Sequence, residues 1–266
     1  MNAPVDVGGT PVHSTAIVHP DARLDPSVSV GPSTVIGPGV EIAAGVRIGA
    51  HVVIDRDTRI GEDCRIFHGA SLGGDPQDLK YAGESTRLEI GERTTIREFC
   101  TISRGTAATG ITRIGSDSLL MAYTHVGHDS VIGDHVVLAN LAQLGGHVEI
   151  GDWAIFGASV GVHQFTRIGA HAFVGGMSRV TQDVPPYLLV VGSPCTARGI
   201  NVVGLQRRGL PKSSIDGLRA AFRDLFKSPD HNLGQALDVV ESQDDLVPEV
   251  ISLIAFIRES ERGITT

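Results

Sequence analysis

Two histidines three residues apart, His125 and His128, with Asp129 directly after the second, form the stretch best equipped for chemistry. A histidine titrates near neutral pH, so it is the natural general base for a hydroxyl, and an adjacent carboxylate can orient the imidazole or stabilise its protonated form. His147 and His163 follow, with Gly146 and Gln164 beside them. A glycine N–H aimed into a cleft could hold a developing oxyanion. Clustered histidines also suit a metal ion, so residue types alone leave acid–base and metal chemistry both open. Which of these side chains meet depends on the frame that carries them.

That frame is periodic. Every sixth residue from Val12 to Val180 is Val, Ile, Leu or Phe at 26 of 29 positions, a regularity that chance does not produce. The exceptions, Asp78, Glu84 and Ala108, mark two insertions, about 73–87 and 104–113, which keep the six-residue phase. Four residues after each aliphatic the side chain is usually small, as at Thr34, Cys64, Ala70, Cys100 and Ala142. Residues two apart in an extended strand face the same side. The small residue and the next aliphatic therefore point inward, the residue between them outward, and the remaining three turn a corner. Gly directly after the aliphatic (Gly31, Gly49, Gly115, Gly133 and Gly151, for instance) is expected to supply the permissive dihedrals of that corner. Cys64 and Cys100 sit at inward positions and read as packing groups rather than reactive thiols.

Short strands of this kind, stacked coil on coil, make a parallel β-helix in which each coil buries the face its neighbour leaves open. The pattern resembles the hexapeptide-repeat transferases, whose coils comprise three hexads and wind left-handedly. The resemblance implies a left-handed parallel β-helix over 1–194. From 195 the clock is lost, and 195–266 reads as a small C-terminal α-helical domain capping the stack. Helical spacing covers Ser213 to Lys227, and further helices are expected over Leu233 to Val240 and Pro248 to Glu259. With three hexads per coil, His128, Gly146 and Gln164 share one corner. His147 and His163 flank that column, and His125 faces outward on the strand leading into it. The same count places Glu92 two coils before His128, which disfavours the metal arrangement of the carbonic-anhydrase branch of these transferases.

Bulk properties exclude several classes. A formal charge of −8 argues against a nucleic-acid partner, which demands basic surface. Three cysteines without paired spacing give neither a disulfide framework nor a zinc site. Met1 to Thr10 lacks the basic and apolar segments of a secretory signal, and no apolar run approaches the ~20 residues of a membrane span. A cytoplasmic protein is expected.

The first insertion, Gln77-Asp78-Leu79-Lys80-Tyr81-Ala82-Gly83-Glu84, is a polar loop on a regular scaffold, where sites tend to sit. The second is Gly- and Thr-rich and less informative. Taken with His125-Val126-Gly127-His128-Asp129, Gly145-Gly146-His147, Val162-His163-Gln164-Phe165 and Asn201 followed by Arg207-Arg208, the loop makes the chain resemble the UDP-N-acetylglucosamine 3-O-acyltransferases that begin lipid A synthesis. The resemblance covers essentially the whole chain, tail included. It implies that His128 is the general base acting on the sugar 3-hydroxyl, that Asp129 supports it, and that the Gly146 N–H holds the oxyanion. It further implies that Asp78, Leu79, His125, His147, His163 and Gln164 contact the sugar nucleotide and acyl region, with Lys80 near phosphate. Asn201, Arg207 and Arg208 would meet the nucleotide and phosphopantetheine end, and Gly176 would leave room for a long 3-hydroxyacyl chain. A homotrimer with no metal or redox cofactor is implied, its donor carried on the phosphopantetheine of acyl carrier protein.

One departure stands out: the family often has an acid where this chain has Val203. From Arg198 to Lys227 seven basic residues face two acids, and Arg219, Arg223 and Lys227 line one helix face, which suits an acidic carrier protein. Competing readings are an amide-forming enzyme for the 3-amino sugar, a coenzyme A-dependent acetyltransferase, a metal-dependent carbonic-anhydrase-like trimer and a non-catalytic scaffold.

Overall fold

The computed structural model describes residues 11–228 and 231–266, so the reading of Met1 to Thr10 lies outside the described residues. A two-residue extended step alternates with a four-residue corner along most of the chain, from Ile17–Val18 to Arg179–Val180. Successive steps belong in rotation to three sheets of nine, eight and ten strands, parallel but for the last strand of the ten, which form the three walls of a left-handed β-helix. The second residue of each step and the small residue two before it point inward: Ile36, Ile54, Thr34, Cys64, Cys100 and Ala142 are all buried. Burial pushes the Cys64 and Cys100 thiols up to about 11, so both are inert packing groups at neutral pH.

The glycines after the aliphatics have a different role from the one expected. None of Gly31, Gly49, Gly115, Gly133 and Gly151 adopts a positive φ. A Cβ at Gly31 would lie 2.6 Å from the Gly49 carbonyl carbon, so it is the close approach of the next coil that requires a bare backbone there. The left-handed residue comes two positions later and is seldom glycine: Asp129 (φ 59), His147 (φ 58), Trp153 (φ 64) and Phe165 (φ 63) occupy it. Four-residue corners thus place short polar and aromatic side chains in vertical columns.

The insertions preserve the hexad phase but not the coil count. Gln143 pairs with His125, His125 with Thr101 and Thr101 with Ser71, so the two lower steps exceed three hexads. Glu92 is therefore not two coils below His128; it lies at another corner, its carbonyl accepting from Asp117 N–H at 2.9 Å. What lies one coil below His128 is the second insertion.

The three walls carry different outward side chains. One bears His125, Gln143, Gly161 and Arg179. The second is a ladder of alternating charge, in which Glu41 meets Arg59 at 3.1 Å and Glu89 meets Arg113 at 3.3 Å. The third is apolar towards its C-terminal end, with Val137, Ile155, Phe173 and Leu189 partly exposed.

This third wall runs on past residue 194. Leu188–Gly192 joins it in parallel and Cys195–Ile200 folds back antiparallel, so the Gly/Pro segment between them is a hairpin turn. Four helices follow: α1 (Val202–Arg207), α2 (Lys212–Phe226), α3 (Leu233–Glu241) and α4 (Pro248–Arg258). The last three match the helical spacings read from the sequence; α1 is too short to carry a periodic signal. Leu205, Leu218, Leu237 and Leu253 are buried in the apolar core that the helices share with the β-helix. The C-terminal segment then returns to Asp183, whose carbonyl accepts from Thr265 N–H at 2.7 Å and whose carboxylate accepts from the Ser260 hydroxyl at 2.8 Å. At the opposite end Ile17 is 66% exposed and Val18 and Leu24 are only partly buried. No helix among the described residues is long and apolar enough to cross a membrane.

Candidate active site

The His128 corner is built by three stacked coils. Asp129, His147 and Phe165 take the left-handed position on successive coils, and His128, Gly146 and Gln164 precede them by one residue. The rings of His147 and Phe165 stack with centroids 4.5 Å apart, while His128 meets His147 edge-on at 5.3 Å. His128 Nδ1 lies 2.7 Å from Asp129 Oδ2, which fixes the tautomer: Nδ1–H donates to the carboxylate, and Nε2 is left with a free lone pair. A Cβ added to Gly146 would sit 2.7 Å from that Nε2, so glycine is what lets the imidazole lie over the next coil. The Gly146 N–H has no acceptor among the described residues and remains available to a ligand.

Asp129 is 3% exposed. Burial acts to raise its pKa, but donors from Thr109, His128 and Thr106 outweigh it and hold the carboxyl at about 2. Its Oδ1 accepts from Thr106 N–H at 2.9 Å and from the Thr109 hydroxyl; its Oδ2 accepts from the Thr106 hydroxyl at 2.7 Å. The Asp129 N–H donates to Thr112 Oγ1 at 2.8 Å. These threonines come from the second insertion, which the sequence reading passed over. No spacing in the sequence marks them, because only the observed pairing of Thr101 with His125 puts Arg104, and with it this segment, one coil below His128.

His128, Asp129 and His147 offer ligand atoms within 4.8 Å of one another, a spacing that a metal ion could bridge. The carboxylate already receives four donors, however, and the His128 nitrogen facing it carries a proton. The set is better furnished for moving a proton than for coordination.

A cleft of about 620 Å³ opens over this corner, lined by His125, His128, Gly146, His163, Gln164 and Gln77 among others. Burial and the nearby His128 depress the pKa of His125, whose Nδ1 lies 2.8 Å from Thr101 Oγ1. Arg262 in the C-terminal segment reaches His163 Nδ1 at 2.8 Å, a contact no sequence pattern announced. The first insertion contributes less than expected within one chain. Only its Gln77 lines the cleft; Leu79 is fully exposed, and the Asp78 carboxylate accepts the Lys80 N–H at 2.9 Å. The loop is anchored instead by Arg104, 1% exposed, which donates to the Gly73 carbonyl at 2.7 Å, to the Tyr81 hydroxyl at 2.9 Å and to Asp75.

Asn201, Arg207 and Arg208 lie elsewhere, around a second cavity of about 470 Å³ on the apolar wall beside Ile155, Phe173 and Leu189. Val203 lines it too and is 59% exposed. Asn201 caps α1 through Gly204 N–H at 3.1 Å and donates to the His171 carbonyl at 2.9 Å. Arg208 stacks over Trp153 at 5.0 Å and donates to its carbonyl at 3.0 Å, while its buried Nη1 has no partner among the described residues. Gly176 is exposed at a different corner, where a Cβ would come 3.2 Å from the Ala158 carbonyl oxygen.

Comparison with known proteins decides the family. The hexapeptide transferase repeat matches residues 15–50 and 111–146, and the second domain of UDP-N-acetylglucosamine O-acyltransferases matches residues 183–265. The acyl-[acyl-carrier-protein]--UDP-N-acetylglucosamine O-acyltransferase of Burkholderia mallei is 49% identical over 204 residues, covering 75% of this chain and 78% of that one. The chain belongs to the UDP-N-acetylglucosamine O-acyltransferase family. Solved structures agree over nearly the full length. LpxA from Acinetobacter baumannii superposes with a TM-score of 0.92 at 45% identity, over 96% of this chain and 100% of that one. The UDP-N-acetylglucosamine O-acyltransferase of Moraxella catarrhalis gives a TM-score of 0.93 at 42% identity, over 97% and 100%. The acyltransferase family thus accounts for both the coil stack and the helical cap, which a generic hexapeptide repeat would not.

Proposed function

We propose that the chain transfers an (R)-3-hydroxyacyl group from the phosphopantetheine thioester of acyl carrier protein to the 3-hydroxyl of UDP-N-acetylglucosamine, in the cytoplasm, as a step of lipid A synthesis. The observation that carries the mechanism is the 2.7 Å contact between His128 Nδ1 and a buried Asp129, beside Gly146, whose bare Cα leaves room for the ring and whose N–H has no acceptor among the described residues. His128 Nε2 takes the proton of the sugar 3-hydroxyl as its oxygen bonds to the thioester carbonyl carbon. The carbonyl oxygen becomes an oxyanion within reach of the Gly146 N–H. Collapse of that intermediate breaks the carbon–sulfur bond, and the thiolate recovers the proton from the imidazolium. The products are the 3-O-acyl sugar nucleotide and the free carrier thiol. Asp129, held ionised, stabilises the imidazolium between the two proton transfers. The chemistry requires no metal and no redox cofactor.

Assembly as a homotrimer suits the three walls. The charged ladder neutralises its own outward groups and needs no partner. The histidine wall and the apolar wall carry different sets of the residues ascribed to substrate, so apposing them on neighbouring chains would bring His128 near Asn201, Arg207 and Arg208. In that assembly Asp78, Leu79 and Lys80, which project from the chain, would reach a site shared between two copies. On α2, Arg219 and Arg223 carry local acid partners, Asp216 at 3.4 Å and Asp224 at 3.6 Å, whereas Arg207 has no acid partner among the described residues and stays free to meet an acidic carrier protein together with Arg208.

The test is acyl transfer with 3-hydroxyacyl carrier protein and UDP-N-acetylglucosamine, His128→Ala beside wild type. A loss of about 10²-fold or more, with wild-type activity undiminished by a chelator, is the expected result. Product only with the 3-amino sugar would reassign the acceptor, and loss of activity on chelation would revive the metal reading. Sedimentation at the mass of three chains is the matching result for assembly.

A further inference from the structure

Asp129 faces two imidazoles at once. Its Oδ2 lies 2.7 Å from His128 Nδ1 and 3.5 Å from His147 Nε2, and all three groups belong to one corner. A carboxylate attached by two rotatable bonds could serve either ring. Only the pairing with His128 leaves a free Nε2 in the cleft for proton abstraction. Something must settle the choice, and the candidates are the groups on its other oxygen. Thr106 N–H donates to Oδ1 at 2.9 Å, and the Thr109 hydroxyl also lies on Oδ1.

Thr109 carries one hydroxyl proton and has two acceptors in reach, Asp129 Oδ1 and, at 2.9 Å, the Ile111 carbonyl. The ionised carboxylate is the stronger acceptor, so the proton goes to Asp129. Ile111 N–H in turn donates to Thr109 Oγ1 at 3.3 Å, and Gly110 N–H donates to the Thr106 carbonyl at 2.8 Å. Buried Arg104 ties the start of the same segment to the coil below. The donors are thus fixed to the scaffold, and they do not follow Asp129 if it turns.

We infer that Thr109, acting with Thr106, is a positioning residue for the reaction: it locks the plane of the Asp129 carboxylate so that Oδ2 addresses His128 rather than His147. The inference rests on His128 being the general base. Thr109 is the better probe of the pair, because half of the Thr106 contribution is a backbone N–H that no side-chain truncation removes. It is also exposed, so replacing its hydroxyl with a methyl leaves the core untouched.

The experiment measures kcat, KM for UDP-N-acetylglucosamine and Tm for Thr109→Val and Thr109→Ser, with Thr109→Val repeated in an Asp129→Ala background and His128→Ala as a separate control. Thr109→Val should lower kcat about tenfold with KM and Tm little changed, because it misplaces a group that acts in the transition state. Thr109→Ser, which restores the hydroxyl, should recover most of the rate. In the Asp129→Ala background Thr109→Val should cost nothing further, since the residue acts only through that carboxylate. A wild-type kcat for Thr109→Val, an equal loss in the Asp129→Ala background, or a change confined to KM would overturn the assignment. If His128→Ala keeps wild-type activity, the reading of the base fails instead, and the two failures are told apart.

Discussion

Each residue at the His128 corner is there for a separable physical reason. Gly146 is needed for room, since a Cβ would press on the imidazole at 2.6 Å. Its φ is not positive, so alanine is acceptable to the backbone, and Gly146→Ala should fold normally while losing activity by roughly 10²-fold through a displaced ring. Unchanged kcat beside an unchanged Tm would remove Gly146 from the site. Asp129 is the reverse case, a residue whose own backbone is strained at φ 59 so that its carboxylate can be buried among donors. The histidine column and its glycine were legible in the sequence because a fixed repeat converts spacing into proximity. The threonines were not, because they reach Asp129 from an excursion whose length the repeat does not set.

At the scale of elements, the two insertions work as one unit. Arg104 of the second pins the first through Gly73, Asp75 and Tyr81, and Thr106 and Thr109 pin Asp129. A fully buried arginine in a turn-rich loop leaves no periodic trace. Removing its side chain strands few buried acceptors, because Asp75 remains largely exposed. Arg104→Met should therefore cost only about 1–3 kcal/mol in urea unfolding, while loop 75–86 becomes open to proteolysis after Lys80. An uncleaved loop in the variant would show that the anchor lies elsewhere. The strands and α2 to α4 followed from hexad and helical spacing, whereas the hairpin ending in Cys195–Ile200 and the short α1 did not, since neither is long enough to display a period.

For the whole molecule, stability should depend on pH through histidines that fold neutral. Burial depresses the pKa of His125, and burial with Arg208 nearby depresses that of His171. In acid just below the reference value of about 6.5 the unfolded chain therefore binds more protons than the folded one, so stability rises with pH through that window and is fully present above it. Tm should be lower at pH 5 than at pH 7.5, and His171→Gln should flatten the difference; an equal slope in the variant would clear His171. The stack also has unlike ends. Helices close the last coil, while among the described residues the first strands, with Ile17 66% exposed, pair on one side only. In an array where each coil is secured by the next, opening proceeds from the unsecured end, and amide hydrogen exchange should trace a gradient along the axis. The His128 corner sits well up the protected side of that gradient. Partial opening of the first coils would leave the catalytic coils intact, so the chemistry is insulated from the place where the molecule breathes.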